Sequence, residues 1–187
     1  MKTDEELIES YESGNESAFS ELVERHLPAL YTFLTRMVGS REEAEDIAQN
    51  TFLKAWKYLR RYKKGANFKT WLFAIARNSA IDHLRKKKML YFGSFSKNES
   101  DDEFEHSLKD MEPLQDISFD AHLKVEALED ALQQLSPLYR EIILLHYREG
   151  LTLEESSKVL GIPLNTAKSR DRRALTELRK LLEPKKD

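Results

Sequence analysis

Residues 68–88 read FKTWLFAIARNSAIDHLRKKK. At 3.6 residues per turn the stretch makes one helix of about six turns. Phe68, Trp71, Leu72, Ile75 and Ser79 recur at helical spacing, and Phe73, Ala76, Ala80 and Leu84 form a second row. Lys69, Thr70, Ala74, Arg77, Asn78, Ile81 and Arg85 fall on or beside another line, and the stretch ends in Arg85-Lys86-Lys87-Lys88. Two apolar rows, a donor-rich strip and a basic end describe a helix that packs on a core and faces a polyanion. Trp71 sits where either role would suit it. An ordinary amphipathic helix with a solvated basic end has the same pattern, so the surrounding chain decides.

That chain keeps the helical period. Six Gly and five Pro in 187 residues, with scarce β-branched alternation, leave nearly every patterned segment at helical spacing, so the expected class is all-α. With 40% hydrophobic and 34% charged residues the chain is globular and has a core to bury. It has no cysteine, which removes disulfides and thiolate metal sites. The five histidines (26, 83, 106, 122 and 146) lie far apart, with no pair four residues apart. No Ser/His/Asp set, glycine-rich phosphate loop or zinc spacing is visible, so neither catalysis nor a cofactor is expected. No run approaches the ~18 apolar residues of a membrane span. The opening MKTDEELIES is acidic and lacks the apolar core of a signal peptide, so the expected location is cytoplasmic.

The formal charge of −3 is unevenly spread. Residues 1–93 hold 16 basic and 13 acidic side chains, residues 94–122 hold 2 and 9, and residues 123–187 hold 12 and 11. A polyanion would therefore meet local basic surfaces, not a bulk positive charge.

Upstream of the quoted stretch, Asp4 can cap a short helix, DEELIESYES, that Gly14 ends. Asn15 or Ser17 can cap the next, which runs to about Val38 on a seam of Phe19, Leu22, Val23, His26, Leu30, Phe33, Leu34 and Met37. Pro28 inside it removes a donor and should kink or split it. His26 on the seam reads as a core or edge imidazole. Gly39 closes this helix, and Ser40-Arg-Glu-Glu43 is a capping box opening another that runs to about Leu59. Ala44, Ile47, Ala48, Phe52, Ala55 and Leu59 form its inner face, and Glu45, Asp46, Gln49, Asn50, Leu53, Lys54 and Trp56 its outer one. Leu53 and Trp56 among polar groups mark a protein-docking surface, because interfaces use apolar and aromatic anchors in a polar setting. In YLRRYKKGAN, residues 58–67, Arg60, Arg61, Lys63 and Lys64 interleave with Tyr58 and Tyr62, and Gly65 permits a tight turn. Such a loop can hold phosphate and stack a base. Asn67 or Thr70 then caps the quoted helix.

EAEDIAQNTFLKAW followed by FKTWLFAIARNSAIDHLRKK closely resembles the first conserved domain of bacterial sigma factors, in the small extracytoplasmic-function (ECF) group. The resemblance implies roles. Asp46, Gln49, Asn50, Leu53 and Trp56 would grip the clamp helices of core RNA polymerase. The loop with Arg60, Arg61, Tyr62, Lys63, Lys64 and Asn67 would capture a flipped base of the −10 element. Thr70, Trp71, Arg77, Asn78 and Arg85 would lie on the strand-opening helix. Taking a base out of the stack costs a few kcal/mol. A rigid helix beside a cationic, aromatic loop can offset that, and Asn can pair in two places with an adenine edge.

Residues 91–122 have poor helical periodicity and an acidic balance, and read as a flexible linker. Asp101, Asp102, Glu103 and Glu105 cluster without calcium-loop spacing. By resemblance the linker would thread through the polymerase toward the RNA exit path. Beyond it, Leu123 to Leu135 is helical on a seam of Val125, Leu128, Ala131, Leu132 and Leu135. Ser136-Pro137 opens LYREIILLHYRE, expected to bury Leu138, Ile142 and Leu145 with parts of Tyr139 and His146. Thr152-Leu-Glu-Glu155 is a second capping box, and Gly161-Ile-Pro163 separates its short helix from a long one, about 165–182. A short helix, a tight turn and a long basic helix make a helix-turn-helix.

GLTLEESSKVLGIPLNTAKSRDRRAL resembles the −35-reading domain of the same family. Thr166, Lys168, Ser169, Arg170, Arg172 and Arg173 would face DNA, Arg173 and Ser169 at base edges and Lys168, Arg170 and Arg172 at phosphates. The chain departs from the family pattern at Asn165, Ala167 and Asp171. Asp171 falls on the inward seam of positions 164, 167, 171, 174, 178 and 181 and needs a partner there. Arg170, Arg172 and Arg140 are the candidates by type.

The expected architecture is two small helical domains, residues 1–90 and 123–187, joined by the acidic linker. The expected function is that of an ECF-type sigma factor: to bind core RNA polymerase, read duplex −35 and single-stranded −10 DNA, and assist opening. Resemblance also implies an anti-sigma partner, often membrane-anchored, and a monomer when free. Two other readings make different predictions. A helix-turn-helix regulator would bind duplex tightly without polymerase. A polymerase-binding interaction protein would leave the Arg173 helix without a task.

Overall fold

The computed structural model describes residues 2–63, 65–92 and 119–183. Within them every regular element is helical, in two compact units. The first unit is built on α1 (Asp4–Glu12), α2 (Ser17–Val38), α3 (Arg41–Tyr58) and α4 (Phe68–Phe92), with a single 3₁₀ turn, Leu59–Arg61, after α3. The second is built on α5 (Phe119–Gln134), α6 (Pro137–Ile143) and α8 (Leu164–Leu182), with most of α7 (Leu153–Leu160). Lys64 and the acidic cluster Asp101, Asp102, Glu103 and Glu105 lie outside the described residues. No helix among the described residues is long and apolar enough to cross a membrane.

In the first unit α2 packs on α1, α3 and α4, and α3 packs on α4. Leu22, Leu30, Phe33, Leu34, Leu72, Phe73, Ala76 and Ala80 are fully buried, with Phe33 and Phe73 in ring contact at 5.2 Å. Three local expectations change. Thr3, not Asp4, caps α1, in a reciprocal box with Glu6. Asp4 therefore keeps its carboxylate free for α2. Helix α2 runs unbroken through Pro28, because an exposed position loses one backbone bond that solvent can replace. Its Ser17 hydroxyl bonds Asn15, and neither side chain caps the helix.

The second unit is organised on α6. Glu141, Ile142, Ile143, Leu144 and Leu145 are all buried, five in succession, which requires neighbours all round the helix. At Leu144 the helix widens into a π-turn, Leu144–Arg148, with the Glu149 N–H bonding the Leu144 carbonyl at 2.9 Å. The expected inner residue Leu138 is 52% exposed, and Val125 and Leu128 on α5 are also exposed. The α5 seam is covered only from Ala131 onward. Arg140 fastens that end, donating to the carbonyls of Leu132, Gln133 and Leu135. The Thr152–Glu155 box forms reciprocally, with the Thr152 N–H donating to Glu155 at 2.8 Å and the Glu155 N–H to Thr152 at 3.1 Å.

Candidate polymerase and nucleic-acid surfaces

The outer face of α3 follows from its period. Ala44, Ile47, Ala48, Thr51, Phe52 and Ala55 turn inward. That leaves Asp46, Gln49, Asn50, Leu53 and Trp56 exposed, Leu53 at 62% and Trp56 at 54%. Beside them lies an open groove of about 860 Å³, walled by Val23, Leu27 and Tyr31 of α2 and by Phe52, Leu53 and Trp56 of α3. The α2 seam is thus shared: Leu22, Leu30 and Phe33 serve the core, while Val23 and its neighbours line the groove. Sequence periodicity did not separate the two, and Leu27 and Tyr31 were missed. Lys54, on the same stretch of α3, is engaged elsewhere, donating to the Ser79 hydroxyl of α4 at 2.8 Å.

The first turn of α3 is anchored differently from its sequence reading. Ser40 accepts the Glu43 N–H, but Glu43 does not return the bond. Its carboxylate meets Lys87 at 2.6 Å and His83 at 3.3 Å, both on α4. Partial burial works to raise the Glu43 pKa, but the Lys87 and His83 contacts outweigh it and hold the carboxyl below its ordinary value.

The loop after α3 turns its cations outward and its own tyrosine, Tyr62, inward. Arg60, Arg61 and Lys63 are exposed. Tyr62 is not: it is 9% exposed and packs at 5.9 Å on Phe68 and 5.5 Å on Trp71, with its hydroxyl donating to the Ala66 carbonyl. The base-stacking role expected for Tyr62 is therefore corrected. The 3₁₀ turn advances at about three residues per turn, which shifts the loop's facing relative to an α-helix. The aromatic on the surface is Tyr58, 37% exposed, with the Arg61 guanidinium over its ring at 5.4 Å. Its sequence signal was the i, i+3 spacing of Tyr58 and Arg61.

Asn67 caps α4, accepting the Thr70 N–H at 3.1 Å. Thr70 is buried with its hydroxyl turned inward, so its expected place on the DNA strip is also corrected. Trp71 leans on Phe68 and Tyr62 and remains half-buried. Further along, Ala74 and Arg77 are half-buried, and Asn78 and Arg85 are exposed. Arg85 pairs with Asp82 on the surface at 3.1 Å, a contact that water screens.

In the second unit α7, the turn at Gly161 (φ 66°) and α8 form the helix-turn-helix. Ala167, Asp171, Ala174 and Leu178 are buried, and Leu164 and Leu181 half-buried, along the expected seam. Thr166, Lys168, Arg172 and Arg173 are exposed, and Ser169 and Arg170 half-buried. The Ser169 hydroxyl donates to the Thr166 carbonyl at 3.0 Å, leaving its lone pairs to accept from a base.

The partner of Asp171 is Tyr147, whose hydroxyl donates to Oδ2 at 3.3 Å. None of the three arginines serves. Arg140 is committed to the end of α5, and Arg170 and Arg172 are adjacent in sequence and so point elsewhere on the helix. Burial, then the Asp171 charge, push the Tyr147 pKa up.

The sigma-70 region 2 model matches residues 22–89, and the sigma-70 region 4 model matches residues 125–178. Along its length the chain is 32% identical over 177 residues to the ECF RNA polymerase sigma factor SigW of Bacillus subtilis (strain 168), covering 94% of each. It is 35% identical over 175 residues to the RNA polymerase sigma factor CarQ of Myxococcus xanthus, covering 94% of this chain and 95% of that one. Among solved structures it resembles the sigma factor RpoE in complex with the anti-sigma factor NepR from Bartonella quintana, at a TM-score of 0.72 and 30% identity. That match covers 90% of this chain and 98% of RpoE. One region model falls on the α2–α4 surfaces, the other spans the helix-turn-helix, and the relatives match over nine-tenths of the chain: the chain belongs to the ECF group of RNA polymerase sigma factors.

Proposed function

We propose that this sigma factor divides promoter recognition between its units, along the boundaries 1–90, 91–122 and 123–187. The first unit binds core RNA polymerase through Asp46, Gln49, Asn50, Leu53 and Trp56. The same unit meets the −10 strand with Arg60, Arg61, Lys63, Lys64 and Asn67 of the loop and with Trp71, Arg77, Asn78 and Arg85 of α4. Tyr58 joins that set, and Tyr62 and Thr70 support it from beneath. The second unit lays α8 in the −35 major groove, with Ser169 and Arg173 toward base edges and Thr166, Lys168, Arg170 and Arg172 toward the backbone. Arg bidentate to guanine discriminates by ~1–3 kcal/mol. The protein acts in the cytoplasm, is a monomer when free, and lends specificity to the polymerase without being a catalyst itself. An anti-sigma partner, of the kind RpoE has in NepR, would regulate it by covering these surfaces.

The observation that carries this reading is the segregation of exposed groups. An apolar and amide-bearing face on α3, a cationic one at the loop and α4, and another on α8 each stand on a buried seam of the same helix. Run-off transcription with core polymerase on a promoter library tests it. A promoter-dependent transcript is expected, and a folded chain that yields none overturns it. Arg173→Ala should relax −35 preference by roughly tenfold, which is ~1.4 kcal/mol, and Asn78→Ala should impair −10 use. Both should leave core binding intact, and equal losses of core binding in the two variants would refute the division of labour.

A further inference from the structure

Helix α1 bears none of these surfaces, yet it is fixed in two ways. Leu7 and Ile8 bury themselves against the unit. Asp4, on the rim, grips two residues of α2: Oδ1 accepts from Arg25 Nη1 at 2.7 Å, and Oδ2 lies 2.8 Å from His26 Nε2. The apolar pair already holds the helix. What the carboxylate adds is the orientation of the imidazole, since a neutral ring donating from Nε2 is fixed in both plane and tautomer.

The ring so fixed is 7% exposed and lies 5.3 Å from Phe68, the first residue of α4. Phe68 in turn contacts Tyr62 and Trp71, and those two contact each other. Tyr62 ties down the loop through the Ala66 carbonyl. A continuous run of side chains thus leads from α1 to the loop and the start of α4. The electrostatics agree: burial raises the Tyr62 pKa first, and the charges of Glu5 and Asp4 raise it further.

We propose that Asp4 and His26 are positioning residues for promoter opening: they fix Phe68, and through it the Tyr62–Trp71 cluster that seats the −10 loop and the first turn of α4. This rests on the −10 surface proposed above. A loop held in place beforehand loses less conformational freedom when it captures a base, and that saving appears in the opening rate. A phenylalanine at position 26 would fill the space but give the carboxylate nothing to hold.

The test uses holoenzyme reconstituted from core polymerase and the full chain, on a promoter recovered from the library, with 2-aminopurine in the −10 element. Asp4→Ala and His26→Phe should each slow opening about fivefold, equivalent to ~1 kcal/mol of barrier, with core affinity unchanged. His26→Gln, which keeps a donor for Asp4, should lose less than His26→Phe. On a template already mismatched across the −10 element the Asp4→Ala and His26→Phe effects should shrink below about twofold, because the base is already unpaired.

The pH profile gives an independent readout. Asp4 on α1, Arg25 on α2 and Lys69 on α4 are the charged groups acting on His26. Burial lowers its pKa against the raising effect of Asp4, so the folded state favours the neutral ring. The contribution of that ring is complete above the unfolded value of ~6.5 and is lost as pH falls through the lower folded value. Protonation leaves the Nε2–H bond to Asp4 in place but puts a charge into a buried site, so opening should slow toward acid pH in the parent, and this limb should be absent in His26→Gln.

Opening within twofold of the parent for Asp4→Ala and His26→Phe, while Asn78→Ala impairs it, overturns the positioning role alone. If Asn78→Ala is also silent, the −10 surface itself is misplaced. Loss of core affinity in step with opening would make the contacts merely structural and overturn the proposal as well.

Discussion

The two helices proposed to face DNA are seated in different ways. Helix α4 begins on large groups: Phe68, Leu72 and Phe73 are buried, Trp71 and Tyr62 pack beside them, and the small Ala76 and Ala80 follow only further along. Helix α8 begins on small ones, Ala167 and Ala174, both fully buried, with the carboxylate of Asp171 between them and Leu178 beyond. Large rings fix a helix by filling volume. Small residues fix it by letting backbones approach closely, so position depends on nothing being added. The first arrangement is vulnerable to truncation, the second to enlargement.

Three substitutions measure that contrast. Phe73→Ala empties a site in ring contact with Phe33 and should cost ~3–5 kcal/mol. Both tryptophans, Trp56 and Trp71, lie in the first unit, so fluorescence-detected urea unfolding reads this unit alone. A cost below about 1 kcal/mol would mean that the aromatic seat is not what holds α4. Ala174→Leu should cost ~1–3 kcal/mol by overpacking, lower the thermal midpoint of the second unit, and weaken −35 use as α8 shifts. Unchanged stability and promoter preference would show slack under α8 that the contrast denies. Asp171→Ala, which removes the carboxylate without enlarging the seat, should have the smallest effect. One oxygen of that carboxylate is buried without a hydrogen-bond partner, and Tyr147, 53% exposed, can turn to water. The variant should match the parent or gain up to ~1 kcal/mol in the same melt. A loss greater than ~1 kcal/mol would make the Tyr147–Asp171 bond a positive contributor.

What was legible in the sequence was whatever depended on near neighbours. The Thr152–Glu155 box closes as read, because both partners lie within three residues and nothing distant competes. The Ser40–Glu43 box has the same pattern and only half forms, because α4 brings Lys87 to Glu43 from 44 residues away. Periodicity gave the seams of α3, α4 and α8, since each meets a partner along much of its length. It overstated α5, where Val125 and Leu128 follow the period but find no cover. It missed α1's cap because Thr3 precedes three acidic residues that look equally suited. In the loop it could not choose between Tyr58 and Tyr62, since facing depends on whether the turn is α or 3₁₀. The partner of Asp171 was out of reach for a related reason: a tyrosine on a widened turn breaks the spacing that would place it.

That widened turn has a consequence for the gene as much as for the fold. A π-turn holds one residue more than the α-turn it replaces, so every position after Leu144 is rotated by about 100° from where an uninterrupted helix would put it. In an aligned family it would look like a single-codon insertion. Deleting one residue of Leu144–His146 would regularise the helix, swing the Tyr147 hydroxyl away from Asp171, and move Gly150 off the position where φ is 70°. Over the five residues of the turn, two of them buried leucines, the fold is set by length as well as by letter.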